Sequence, residues 1–257
     1  MDRTNPHHTI KCAVTAANSA GYISAQQLAE QLQLPFTMDG IDCDYLLTLT
    51  NEHLELRKLH SKETNPLWID FVKGKAAYRR HHDSSKQLLT RAVGFKKNHP
   101  LSVIDATAGF GQDAFVLATL GIATHLLERS PIMSALLADG IARANAGFAK
   151  LTMTLTQGNS IEYLTLLTES NYPDVIYLDP MYPVKHKTAL NKKAMRWLRD
   201  LVGDDLDAKQ LLEIALNRAR KRVVVKRPRL APYLGEVKPS FSMAGKTCRF
   251  DIFIIHS

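Results

Sequence analysis

From Leu101 onward, short apolar runs alternate with longer segments whose apolar positions recur at helical spacing. The runs predict strands over Ser102–Ala106, Ala123–Glu128, Leu151–Thr156, Asp174–Asp179 and Arg222–Lys226, and a long final strand over Thr247–Ile255. Between them, helices are expected over Asp113–Leu120, closing at Gly121, over Ile161–Leu167 and over Asp207–Arg220. A further helix runs from Ser130-Pro131, a good N-cap and first-turn pair, to about Ala146 before Gly147. Strands alternating with helices predict an α/β fold, a doubly wound, mostly parallel sheet. Ligands of such sheets bind outside the carboxyl ends of the strands.

Residues 1–83 have a different pattern. Ser24-Ala25-Gln26-Gln27 has the form of a capping box and predicts a short helix through Leu32, stopped by Pro35. Tyr45–Thr50 and His53–Lys58 predict a hairpin about Asn51-Glu52, and Leu67–Val72 predicts a third strand. The polar, basic run 73–83 reads as a connector. Ser84 or Ser85 then caps a helix reaching Val93, with Gly94 at its end. The expected organisation is a smaller N-terminal α+β domain, 1–83, followed by the larger α/β domain, 84–257.

Composition adds little to this and charge adds more. With 257 residues, 45% hydrophobic and 23% charged, the chain is that of a folded protein with a proper core. A formal net charge of +8 favours a polyanionic partner, most often nucleic acid or an anionic membrane. No apolar stretch reaches the length of a membrane span, and no apolar signal-peptide region follows the N-terminus, so no membrane is expected. Cys12, Cys43 and Cys248 form no C-x-x-C pair, which argues for a reducing cytoplasm and against both a disulfide framework and a metal site. His7-His8 and His81-His82 lack partners at metal-ligand spacing and read as surface residues. Trp68 and Trp197 read as packing residues.

The chemistry gathers at the predicted strand ends. In "VIDATAGFGQDA", 103–114, a strand ends in Asp105, and Gly109 and Gly111 precede a helix. Glycines there let the backbone turn sharply and come close to a ligand. Asp-x-x-x-Gly-x-Gly is the spacing of the cofactor loop of Rossmann-like class I methyltransferases, where the strand-end acid lies near the methionine part of S-adenosyl-L-methionine. Thr107 stands where the common pattern has its first glycine. A bare glycine turn would look similar, so the loop gains weight from its neighbours. Glu128 closes the second strand, where a carboxylate can accept hydrogen bonds from both ribose hydroxyls, and Arg129 can pack against adenine. Glu128 alone also suits an ordinary helix-start charge. Asn159 or Ser160, after the third strand, can bond an adenine edge or simply cap the next helix.

The fourth strand closes on Asp179-Pro180-Met181-Tyr182. Amino-directed nucleic-acid methyltransferases carry [Asp/Asn]-Pro-Pro-[Tyr/Phe] at this place, and Met181 replaces the second proline here. The exocyclic amine of a base is a poor nucleophile because its lone pair is delocalised into the ring. Asp179 and the Pro180 carbonyl can accept its hydrogen bonds and hold the nitrogen in line, and Tyr182 offers a stacking face for an extruded base. Beyond it lie Lys185, Lys187, Lys192 and Lys193, while "RARKRVVVKRPR", 218–229, contains Arg227 and Arg229. Both segments are expected to border the active-site ends of the strands and grip phosphates.

These stretches resemble the RsmJ family, bacterial 16S ribosomal RNA guanine-N2 methyltransferases. The likeness is carried by "EHLELRK", "DFVKG", "VIDATAGFGQDAFVLA", "LLERSP", "YLDPMYP", "RVVVKRP" and "RFDI", in order from Glu52 to Ile252. Gln112 departs from the arginine common there. The resemblance implies S-adenosyl-L-methionine bound by Asp105, Gly109, Gly111, Gln112, Asp113, Glu128, Arg129, Asn159, Ser160 and Asp179. It implies Asp179, Pro180 and Tyr182 at the reacting amine, and methylation of guanine 1516 at N2. The implied partner is 16S rRNA or the small ribosomal subunit, with residues 1–83 as a further RNA contact. The residues alone leave guanine and adenine, and RNA and DNA, undecided. A DNA adenine-N6 methyltransferase and a non-catalytic RNA-binding protein on a degenerate nucleotide fold are the alternatives. A nicotinamide dehydrogenase also puts an acid at the end of strand two, but has a different glycine spacing.

Overall fold

The computed structural model describes residues 11–39, 43–61, 65–72, 88–147, 151–181, 196–197, 200–201, 203 and 205–256. The first strand, β1 (Cys12–Ala16), is absent from the sequence expectation. Four of its five residues are buried in a row, so it has no period-two signature. Helix α1 (Tyr22–Leu32) follows a 3-10 turn at Ser19–Gly21. The capping-box reading of Ser24 is therefore corrected: Gly21 is the N-cap, and Ser24 lies inside the first turn. The helix ends at Gln33, φ 55°, ahead of Pro35. Strands β2 (Tyr45–Leu49) and β3 (Leu54–Lys58) form the expected hairpin, and β1 pairs parallel to β2. The third strand expected at Leu67–Val72 is not formed. Only Leu67 bridges Leu56, while Ile69 and Phe71 turn inward and are buried. The connector 73–83 and Ser84–Ser85 lie outside the described residues.

Helix α2 (Leu88–Val93) precedes a regular alternation: β4 (Ser102–Asp105), α3 (Gln112–Thr119), β5 (Ala123–Glu128), α4 (Pro131–Gly147), β6 (Met153–Gln157), α5 (Ser160–Leu166) and β7 (Val175–Leu178). Helix α6 (Ala208–Leu216), β8 (Arg222–Pro228), β9 (Phe241–Ala244) and β10 (Cys248–Ile254) complete the chain. The seven-stranded sheet has the order β6-β5-β4-β7-β8-β10-β9. It is parallel from β6 to β8, and β10 runs antiparallel to both β8 and β9. Strand β9 escapes the sequence because it is an edge strand whose residues are mostly exposed.

The central strands bury both faces, hence their unbroken apolar runs. In β7 the pleat sends Val175 and Tyr177 to one side with α2 and α3, and Ile176 and Leu178 to the other with α5 and α6. The N-terminal unit is not packed separately. Val14, Leu47, Leu56, Ile69 and Phe71 share one cluster with Ala114, Phe115, Met133 and Leu137, and Phe71 stacks on Phe115 at 4.8 Å. Trp197 is 1% exposed and meets Tyr45 edge-on, as a packing residue should; Trp68 is stacked on His53 and half exposed.

One expectation about charge is corrected. Arg218, Arg220, Lys221 and Arg222 precede or begin β8 and so lie at the end of the sheet opposite the glycine loop. They are engaged there: Arg218 on the Leu164 carbonyl, Arg220 on the Glu169 and Ser170 carbonyls, Lys221 on Asp174, and Arg222 on the Ala92 carbonyl.

Candidate active site

The parallel strands β4 to β8 direct their carboxyl ends to one edge, and a cavity of about 370 Å3 opens there. Asp105, Gly109, Gly111, Gln112, Asp113, Glu128, Arg129, Asn159, Ser160 and Asp179 all line it, so every expected cofactor residue reaches one place. A cavity of this size is ordinary for a small-molecule site.

The glycine loop leaves β4 and turns into α3. Gly109 and Gly111 sit at φ 51° and 63°, the left-handed region that favours glycine. A Cβ on Gly111 would also come 2.7 Å from Leu137 Cδ1. The loop is held from two sides. Gly109 N–H donates to Glu128 Oε2 at 2.9 Å, and Thr107 N–H donates to Asp105 Oδ1 at 3.1 Å. Thr107 then accounts for its departure from the glycine pattern, because its Oγ1 accepts the Asp179 N–H at 2.6 Å and ties the loop to the end of β7.

The acids differ in state. Asp105 is 2% exposed, and burial, aided by Asp113 and Asp179, pushes its pKa up to about 8. Burial also raises Glu128, against the Ser130 and Gly109 N–H groups and Arg129. Glu128 Oε1 accepts from Ser130 N–H at 2.8 Å, so each of its oxygens holds one backbone donor and keeps a second acceptor site. Arg129 lines the cavity with these acids. Its guanidinium pairs with Asp205 and Asp207, which also line the cavity, a pairing that no local sequence pattern signals. Asn159 is the N-cap of α5, accepting from Ile161 and Glu162 N–H at 2.8 and 3.4 Å. Ser160 donates to the Ala106 carbonyl at 2.7 Å.

Asp179 follows β7, with Pro180 buried behind it and the Met181 N–H donating to Asp205 Oδ2 at 2.6 Å. The Asp179 side chain is 40% exposed, into the walled cavity rather than to open solvent. Lys226 Nζ lies 2.7 Å from both Asp179 Oδ2 and Asp113 Oδ2. Burial works against that ammonium, but the two carboxylates outweigh it and raise its pKa. Burial raises Asp179 too, with Lys226 opposing and Asp113 adding to the rise. Tyr177 donates to Asp113 Oδ2 at 2.7 Å, and burial with the surrounding acids raises its pKa, so it stays a neutral donor. Sequence reasoning missed Lys226, Tyr177, Asp205 and Asp207. Lys226 stood in the basic run, where it looked like one more phosphate contact.

Two partner expectations part here. Arg229 is exposed beside the active-site end of β8. Arg227 is corrected: it is 5% exposed, with its guanidinium on the Pro232 carbonyl at 3.3–3.4 Å, and has no free face for a phosphate. Tyr182, Lys185, Lys187, Lys192 and Lys193 lie outside the described residues, as do His7-His8 and His81-His82. No helix among the described residues is long and apolar enough to cross a membrane.

Comparison with known proteins agrees with this geometry. A family model described as putative SAM-dependent methyltransferase matches residues 27–255. A ribosomal RNA small subunit methyltransferase J from Nitrosococcus oceani is 48% identical over 241 residues, 91% of this chain and 94% of that one. Its namesake from Coxiella burnetii is 44% identical over 247 residues, 95% and 96% of the two chains. A crystal structure of a SAM-dependent methyltransferase from Neisseria gonorrhoeae superposes with a TM-score of 0.75 at 32% identity, covering 94% of this chain and 95% of the other.

Proposed function

This chain belongs to the ribosomal RNA small subunit methyltransferase J family, which is S-adenosylmethionine-dependent, and on that premise we propose that it methylates a guanine N2 amine of 16S rRNA, at guanine 1516 by the family resemblance. The observation that carries the reading is the meeting of two half-sites in one cavity. The glycine loop, Asp105 and Glu128 form one wall, and Asp179 follows the strand beside them with one oxygen that meets no donor among the described residues.

The residues fit the cofactor. Glu128 keeps acceptor capacity for vicinal hydroxyls, and Asp105 is a buried carboxyl whose ionised form a cationic ligand would stabilise. When bound, S-adenosylmethionine supplies a methyl group on a positively charged sulfur. Asp179 Oδ1 and the Pro180 carbonyl accept the amine's hydrogen bonds and fix the nitrogen's direction. The Asp179 charge offsets the positive charge that grows on that nitrogen, and Asp179 is the acceptor for the proton it sheds. Tyr182 is assigned the stacking face. Lys185, Lys187, Lys192, Lys193 and Arg229, together with residues 1–83, are assigned to phosphate contacts, which fix register without reading sequence.

The reading is tested by methyl incorporation into small-subunit rRNA and into duplex DNA, with wild type and Asp179→Ala side by side. Wild type should label rRNA and leave DNA unlabelled. Asp179→Ala should stay folded, still bind S-adenosylhomocysteine, and lose about 10²–10³ in rate. Labelling of DNA alone, or an Asp179→Ala enzyme of full activity, would overturn it.

A further inference from the structure

Strand register brings Lys226 to Asp179. Strands β7 and β8 are parallel with Leu178 opposite Val225, so Asp179, the first residue past β7, stands level with Lys226, which is still within β8 and paired with Phe250 of β10. Valines fill β8 up to that point; the apolar run breaks to an ammonium where the sheet meets the cavity. Lys226 is 26% exposed by side chain, and its Nζ bridges two carboxylates on different elements. Asp113 belongs to the first turn of α3, on the cofactor side, and Asp179 to the acceptor motif. Tyr177 completes the anchor by donating to the same Asp113 oxygen.

We propose that Lys226 is the positioning residue for Asp179: its ammonium occupies Oδ2, keeps the group a carboxylate and leaves Oδ1 turned to the acceptor amine. Among the described residues no donor reaches Oδ1, while Oδ2 and the backbone N–H are both committed, the latter to Thr107. The carboxylate therefore presents one acceptor in one direction. Lys226 itself stays protonated and moves no proton. The inference deepens the function proposed above and rests on it.

The surroundings explain why a cation is needed. Asp105 from β4, Asp113 from α3, Tyr177 from β7 and Asp205 from the segment before α6 all face Asp179 or its partners. Arg129, which follows β5, pairs with Asp205 and Asp207. Without Lys226, Asp179 would sit among carboxyls with no paired cation among the described residues. It would take up a proton, and a protonated carboxyl has lost the charge that holds the amine.

The test compares wild type, Lys226→Met and Lys226→Arg for kcat, KM and pH dependence of methyl transfer to small-subunit rRNA, with S-adenosylhomocysteine binding followed by calorimetry. Groups that orient a reacting residue commonly contribute about 10–100-fold. Lys226→Met should lose that much in kcat, with KM for S-adenosylmethionine within a few-fold of wild type. The acid limb of its kcat profile should move up by about one pH unit or more, so that alkaline buffer recovers activity. Lys226→Arg, which keeps the charge, should return most of the rate and the wild-type limb. Should the methionine variant not fold, Lys226→Gln gives the same comparison. An unchanged kcat, or a loss of rate with an unmoved acid limb, overturns the inference. Wild type that labels no rRNA at any pH overturns the function instead, so the two failures are distinct.

Discussion

Asp105 shows how much of the site's behaviour is set by single residues. It is almost fully buried, and burial pushes its pKa up to about 8 in the folded protein. The unfolded chain releases the carboxyl proton near the ordinary value of 3.8. Between these values the folded state binds more protons than the unfolded state, so Asp105 makes stability fall as pH rises, by about 1.4 kcal/mol per pH unit. The loss should level off above pH 8. Asp105→Asn keeps an acceptor for the Thr107 N–H and removes the titration. Its urea-unfolding free energy should therefore exceed that of wild type at pH 8 by more than at pH 5; parallel pH curves for the two proteins would refute the assignment. The position of Asp105 at a strand end was legible in the sequence, as were Glu128 and Asp179. Its protonation was not, because it depends on how completely the loop covers it. Lys226 was visible only as charge. Its role comes from a register shared with β7, which no local pattern encodes.

Among the elements, α4 carries a small residue for a reason the sequence conceals. Gly140 faces Ile69, and a Cβ there would lie 2.7 Å from Ile69 Cγ2 and 3.2 Å from its carbonyl oxygen. At an open helix position Gly→Ala gains up to about 1 kcal/mol. Here overpacking, about 1–3 kcal/mol, should win. Gly140→Ala should therefore lower the urea midpoint, and Gly140→Ala/Ile69→Ala should cost less than the two changes summed. A stabilised Gly140→Ala would mean the approach is looser than described. The periodic elements of the larger domain were readable because its central strands are uniformly apolar and its helices have clear ends, such as Ser130-Pro131. Strands β1 and β9 were not, one being buried in a row and the other mostly exposed. The segment 67–72 had a strand's composition, but it packs Ile69 and Phe71 into α3 and α4 instead of pairing.

At the scale of the molecule, the N-terminal sheet is fastened to the catalytic half near the acceptor motif. Tyr45 donates to Asp200 at 2.7 Å, Lys58 pairs with the same oxygen at 2.8 Å, and Trp197 is buried against Tyr45. Trp197 and Asp200 are thus held by residues more than a hundred positions earlier. A charge pattern along the sequence could not show this, nor that half of the basic run 218–229 faces away from the site. The proposed function has one cavity present a methyl donor to the N2 amine of a guanine. Its most direct test is to methylate small-subunit rRNA with the purified protein, digest it to nucleosides and identify the product by mass spectrometry. N2-methylguanosine should form with wild type and be absent with Asp179→Ala. N6-methyladenosine, or a methylated nucleoside that persists in Asp179→Ala, would contradict it.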